Sequence, residues 1–177
     1  MARKYPYYPS FDGKKAGAGT EWFAVACNHR WKTKNLGIYQ ARLMRNSHTE
    51  GKKITDPGMD KWLSVHATGA AVDIGYPDRK TGLAMWDWFL AHTKELGIVE
   101  IHDYAYDANP KDKDKGYGRG FRCSRGEGAA GVKIFTADDN AGSFGGQWLH
   151  VELEPEFAKD AAKMEAAWKA IPKPGAS

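Results

Sequence analysis

Apolar positions along the chain fall into two kinds of pattern, one with helical spacing and one with strict alternation. Between 83 and 96, Leu83, Trp86, Phe89, Leu90 and the stretch Thr93 to Leu96 repeat every three or four residues. That spacing places them on one face of a helix. Gly82 precedes this stripe, and Gly97 follows where a left-handed stop belongs. A second helix is predicted over Glu156–Ala170, with Phe157, Ala161, Met164, Trp168 and Ile171 as its stripe. Pro155 fits its first turn and Pro172 ends it. Both stripes are packing faces and carry no chemistry. A further periodic segment runs from Thr20 to Arg30.

Two shorter runs alternate with period two, as strands with one buried face do. In Ala70–Tyr76 the apolar set is Val72, Ile74 and Tyr76, which leaves Ala71, Asp73 and Gly75 opposite. In Gln147–Leu153 it is Leu149, Val151 and Leu153, which leaves Trp148, His150 and Glu152 opposite. Leu36–Met44 reads as a third strand without a helical stripe, and Arg45–Pro57 as polar turns. Residues 1–20 read as an extended lead-in, and 103–146, rich in glycine and charge, as mostly loop. A loop that long in a small domain is functional or disordered. The expected fold class is therefore α+β, a small antiparallel sheet flanked by helices within one domain over residues 1–177.

Composition narrows the function only a little. The 177 residues are 42% apolar with seven Trp, enough for a core without staples. No apolar run approaches the roughly 18 residues of a membrane span. The opening MARKYPYYPSFDGKK has no apolar core of a signal peptide. The protein is expected to act where it is made, or to be delivered by other means. Cys27 and Cys123 are too far apart for a Cys-pair zinc motif and are expected to be reduced thiols, with one bridge as the alternative. The net charge of +4 suits polyanions in general, but Lys and Arg are scattered and KDKDK at 111–115 cancels itself, which argues against nucleic acid.

Candidate chemistry comes from strand parity. Asp73 and His150 both project from the face turned away from the packed side, and His66 lies seven residues before Asp73. Two imidazoles and a carboxylate are a known catalytic zinc set with one coordination position left open. Spacing of this kind is common, so the triplet by itself is weak.

The pattern around it is more specific. Ser64, His66, Gly69, Ala71 and Asp73 form SxHxxGxAxD, and Trp148-Leu-His150-Val-Glu152-Leu follows far downstream. Together they resemble the zinc D-alanyl-D-alanine carboxypeptidase superfamily. That group includes vancomycin-resistance dipeptidases, L-alanyl-D-glutamate endopeptidases of phage endolysins and, by fold, the hedgehog signalling domain. The resemblance covers about residues 36–154, and GIYQARLMR matches the phage-type segment with Arg42 as its arginine. It implies one Zn2+ on His66, Asp73 and His150, and cleavage of peptidoglycan stem peptides, either as an endopeptidase or as a D,D-carboxypeptidase. It also implies a monomer that waits in the host cytoplasm before release to the wall, or travels with the virion.

One departure stands out. The family places an Asp or Glu, its general base, three residues before the last ligand, where this chain has Gln147. An amide cannot relay a proton near neutral pH. Glu152, on the strand face of His150, is the first substitute and the alternative is that it orients a ligand. His102, Asp138 and Asp139 are looser candidates. Otherwise the chain binds zinc and wall peptide without cutting, as a wall-binding or virion structural protein. Arg42 suits a substrate carboxylate through its bidentate fork, or a surface ion pair. Ser64 is a ligand-orienting residue or a turn former, and Trp148 a cleft wall or a packing residue. His29, His48 and His92 read as surface or local structure.

Overall fold

The structure, a computed structural model, describes residues 1–6, 15–45, 47–107, 116–136 and 145–172. Six strands form one antiparallel sheet in the order β1-β2-β6-β3-β4-β5. They are β1 (Lys34–Gly37), β2 (Ala71–Gly75), β3 (Ile98–Asp103), β4 (Arg119–Arg122), β5 (Val132–Ile134) and β6 (Trp148–Leu153). Four helices accompany it: α1 (Ala18–Trp31), α2 (Arg79–Ala91), α3 (Pro155–Lys159) and α4 (Ala161–Ala170). The α+β class expected from the patterning is therefore correct.

Alternation in β2 and β6 resolves as the parity argument requires. Val72, Ile74, Leu149, Val151 and Leu153 join the buried core with Phe23, Trp86, Phe89 and Met164, while Asp73, His150 and Trp148 stay partly accessible. Helix α1 buries Thr20, Phe23, Ala24 and Cys27, the stripe that made Thr20–Arg30 periodic. Both cysteines are buried free thiols.

Several boundaries differ from expectation, each for a local reason. Helix α2 starts earlier than Leu83, because Asp78 caps it by accepting the Thr81 N–H at 2.7 Å. Gly82 thus lies inside the helix, where a Cβ would come within 2.7 Å of the Tyr76 ring. The helix ends at Ala91 rather than Leu96, because the Thr93 carbonyl accepts the Ile98 N–H and an Arg3 guanidinium N–H. Gly97, at φ +61°, is still left-handed. The helix expected over 156–170 is two, α3 and α4. They are broken at Asp160, whose extended backbone lets its carboxylate cap the Lys163 N–H.

The strand expected over Leu36–Met44 is shorter and earlier. After a register shift between Asn35 and Gly37, β1 ends, and among the described residues of this stretch only Leu43 makes a further bridge, to Leu63. Its departure frees the Ile38 carbonyl for His66. The stretch 103–146 was expected as loop, yet it contains β4 and β5, whose few residues show no alternation. Strand β3, interior to the sheet, was not expected at all. Residues 1–6 and 15–17, part of the expected lead-in, form neither helix nor strand, and α1 already begins at Ala18. Asp138 and Asp139 lie outside the described residues.

Candidate metal centre

Antiparallel register builds the site in two rows across the open face of the sheet. Asp73 sits directly opposite His150, and His150 opposite His102. One row along, Glu152 faces Ala71 on one side and Glu100 on the other, and Glu100 faces Arg122. Three of these positions belong to residues named from parity alone: Asp73, His150 and Glu152.

His66 arrives from outside the sheet, on a short 3-10 turn over Val65–Thr68 that follows Ser64. The turn closes on Gly69 at φ +72°, where a Cβ would stand 2.6 Å from the Lys15 carbonyl oxygen. Only glycine fits there, so the residue between His66 and the strand is fixed by backbone approach. The Gly69 carbonyl is itself held by the Thr20 hydroxyl at 2.8 Å and the Gly17 N–H at 3.0 Å. Ser64 is buried, and its N–H donates to the Arg42 carbonyl, which ties the histidine turn to the arginine segment.

Three donor atoms then converge. His66 Nε2 lies 3.2 Å from His150 Nδ1 and 3.4 Å from Asp73 Oδ1, and His150 Nδ1 lies 2.9 Å from Asp73 Oδ1. Ligands at about 2.0–2.2 Å from a tetrahedral ion stand roughly 3.3–3.5 Å apart, close to this spacing. The far nitrogens fix the tautomers. His66 Nδ1–H donates to the Ile38 carbonyl at 2.8 Å, and His150 Nε2–H to Glu152 Oε1 at 3.1 Å. With both rings neutral their inner lone pairs would face a carboxylate oxygen, so the cluster needs positive charge there, which a proton on His150 or a bound cation supplies. The set can hold a metal ion.

Electrostatics agree with that demand. Burial works to raise Asp73, but hydrogen bonds from His150 and His66 outweigh it and hold the carboxyl well below its ordinary range. Burial works against a charged His150, yet its bonds to Asp73 and Glu152 prevail and push it up to about 10. With the unfolded value near 6.5, a proton on His150 stabilises the metal-free fold fully below about pH 6.5. That contribution is lost as pH rises through about 10. A metal replaces that proton, so uptake at pH 7 is expected to release about one proton from His150, and affinity to increase with pH. Calorimetric zinc titrations in two buffers of different ionisation enthalpy measure this directly. Uptake with no proton release would contradict it.

The triad opens into a cleft of about 810 Å³. Ser64, Arg42, His102, Trp148 and Glu152 all line it, with Tyr104. Arg42 is half-buried and only loosely held, by Gln40 Oε1 at 2.9 Å and the Leu43 carbonyl at 3.4 Å. Trp148 packs against Tyr104, ring centroids 5.6 Å apart. His102 does not join the triad, because Nε2–H donates to Glu100 Oε1 at 2.7 Å and Nδ1 accepts the Tyr104 hydroxyl at 2.9 Å. Burial and the nearby carboxylates Asp73, Glu152 and Glu100 raise the Tyr104 phenol far above its usual value.

Gln147 falls elsewhere: its side chain is exposed and does not line the cleft, and its backbone carbonyl accepts the Tyr76 N–H. Glu152 is committed on both oxygens, to His150 and to the Tyr5 hydroxyl. Sequence reasoning missed Tyr5, Glu100, Tyr104 and Arg122. The His102–Tyr104 spacing was the only local signal, and nothing near residue 5 points to residue 152.

Comparison of the chain with protein-family models, with curated proteins and with solved structures finds no match. Among the described residues no helix is long and apolar enough to cross a membrane.

Proposed function

We propose that this protein is a zinc-dependent peptidase of the D-alanyl-D-alanine carboxypeptidase type, with a hedgehog-like fold, that hydrolyses amide bonds in peptidoglycan stem peptides. The observation that carries the reading is the convergence of His66, Asp73 and His150 donor atoms within 3.4 Å, beside an open cleft. The motif residues that prompted the resemblance support it by their neighbourhood: Ser64 and Arg42 line the same cleft, and Gly69 shapes the turn.

Zinc, when bound, supplies a Lewis acid and a water acidified to a pKa of roughly 7. The chain does the rest. Arg42, at the cleft wall with donors to spare, holds a stem-peptide carboxylate through its planar fork. Trp148 and Tyr104 wall the cleft beside the scissile bond. With Gln147 turned away and Glu152 engaged, the Tyr104 hydroxyl, whose proton is held by His102, offers its oxygen to accept a hydrogen bond from a stem-peptide amide N–H. Glu152 serves in this reading by orienting His150. Delivery from the host cytoplasm to the wall, or carriage by a virion, belongs to the same proposal.

Purified muropeptides test it. The wild-type protein is expected to release a new amine terminus, to stop when zinc is chelated and to resume on zinc addition. The position of the new amine separates an endopeptidase from a D,D-carboxypeptidase. A second reading rests on a specific observation, that the buried carboxylates beside the triad, Glu100 and Glu152, both have their oxygens engaged. On it the protein binds zinc and wall peptide without cutting. Zinc-loaded protein that sediments with walls but cleaves none of the muropeptides would decide for it.

A further inference from the structure

We infer that Tyr5 is a positioning residue of the metal centre: its hydroxyl holds Glu152, and Glu152 holds His150. The inference rests on the reading of His66, Asp73 and His150 as metal ligands, and adds a residue 145 positions upstream of the last of them.

The chain of contacts is short and complete. His150 Nε2 lies 3.1 Å from Glu152 Oε1, so the carboxylate sets the ring orientation that turns Nδ1 toward Asp73 and His66. Its other oxygen, Oε2, accepts the Tyr5 hydroxyl. Outer carboxylates of this kind fix the tautomer of a ligating imidazole and make it a better donor. Their own orientation must be fixed in turn.

A competitor makes the tyrosine necessary. Glu152 faces Glu100 across the β3–β6 ladder, and Arg122 binds both Glu100 oxygens at 2.9 Å. The Arg122 guanidinium lies over the Tyr5 ring, 4.7 Å from its centroid, and feels the Glu152 charge as well. Tyr5 thus stands beside a cation able to draw Glu152 away from His150. A neutral hydroxyl donor anchors the carboxylate without neutralising it. Tyr5 also lines the cleft, so the strap forms part of the site wall.

The strap is built to hold that position. Two residues before Tyr5, Arg3 donates through Nε to Glu127 at 2.7 Å, through Nη1 to Glu154 at 2.7 Å and through Nη2 to the Ile98 carbonyl at 2.6 Å. Its backbone N–H reaches the Cys123 carbonyl at 3.1 Å. Partners beside β3, β4 and β6 therefore fix the backbone that presents Tyr5.

The test is competitive zinc titration against a chromophoric chelator, on full-length wild type, Tyr5→Phe, Glu152→Gln and the double variant. Tyr5→Phe is expected to keep a stoichiometry of one zinc and to bind it about 10–100-fold more weakly, the usual effect of losing an outer-shell partner. Glu152→Gln weakens binding comparably, and the double variant is no weaker than Glu152→Gln alone, because the two act through one contact. Thermal unfolding of the metal-free proteins, little changed in Tyr5→Phe, separates positioning from loss of fold. Wild-type affinity in Tyr5→Phe would overturn the inference. So would additive losses in the double variant, or a metal-free midpoint that falls in step with affinity. Failure of the wild type to take up zinc would instead remove the metal-site reading beneath it.

Discussion

Alanine in place of His66 is expected to leave the purified protein without stoichiometric zinc, and alanine in place of His150 to do the same. On the proposed reading each change removes one of three protein ligands and leaves a pair that cannot enclose an ion. The loss should exceed the 10–100-fold typical of outer-shell changes. The two variants differ in what they leave behind. Without His150, Asp73 and Glu152 lose the shared proton that balances them, so metal-free His150→Ala is the less stable protein at neutral pH. Without His66, the Ile38 carbonyl loses its donor while the Asp73–His150 pair survives. Elemental analysis after gel filtration, with circular dichroism as the folding control, reads both. Stoichiometric zinc retained in the two variants would place the ion elsewhere.

The largest expected loss of stability comes from a residue on the other face of the same sheet. Asp103 is wholly buried and binds Arg79 through both carboxylate oxygens, at 2.7 and 2.9 Å, and Arg119 at 3.0 Å. Arg119 is sandwiched between the Trp86 and Tyr106 rings, 4.1 and 4.3 Å from their centroids, and its buried Nη2 has no hydrogen-bond partner among the described residues. Asp103→Ala leaves two guanidinium charges facing each other with no anion between them. Breaking a buried pair in this way costs about 3–5 kcal/mol. For a chain of this size that is about a 10 °C fall in thermal midpoint. Zinc stoichiometry below the transition should be unchanged, because the triad hangs on the opposite face. A midpoint within about 2 °C of wild type would mean that the arginines find other partners.

Legibility of the sequence followed the physics of exposure. β2 and β6 have one core face and one cleft face, so their alternation was strong, and parity alone brought Asp73, His150 and Glu152 together. β3 has no such contrast: Glu100 on one face and Asp103 on the other are both buried and charged, so Ile98–Asp103 shows no period of two. β4 is four residues with arginine at either end. Helix ends were misjudged where a tertiary partner takes over a carbonyl, as Arg3 does at Thr93. His66 sits on a short 3-10 turn whose periodicity says nothing, and only the motif resemblance singled it out. Tyr5 was out of reach, because its role is defined by a partner 147 residues away.

Zinc-edge X-ray absorption on the wild-type protein, together with its metal content, tests the central assignment most directly. The expected result is about one zinc per chain, in a shell of roughly four nitrogen and oxygen atoms near 2.0–2.1 Å, with outer scattering from imidazole rings. A shell containing sulfur near 2.3 Å, one lacking imidazole, or a protein that takes up no zinc at all would contradict it.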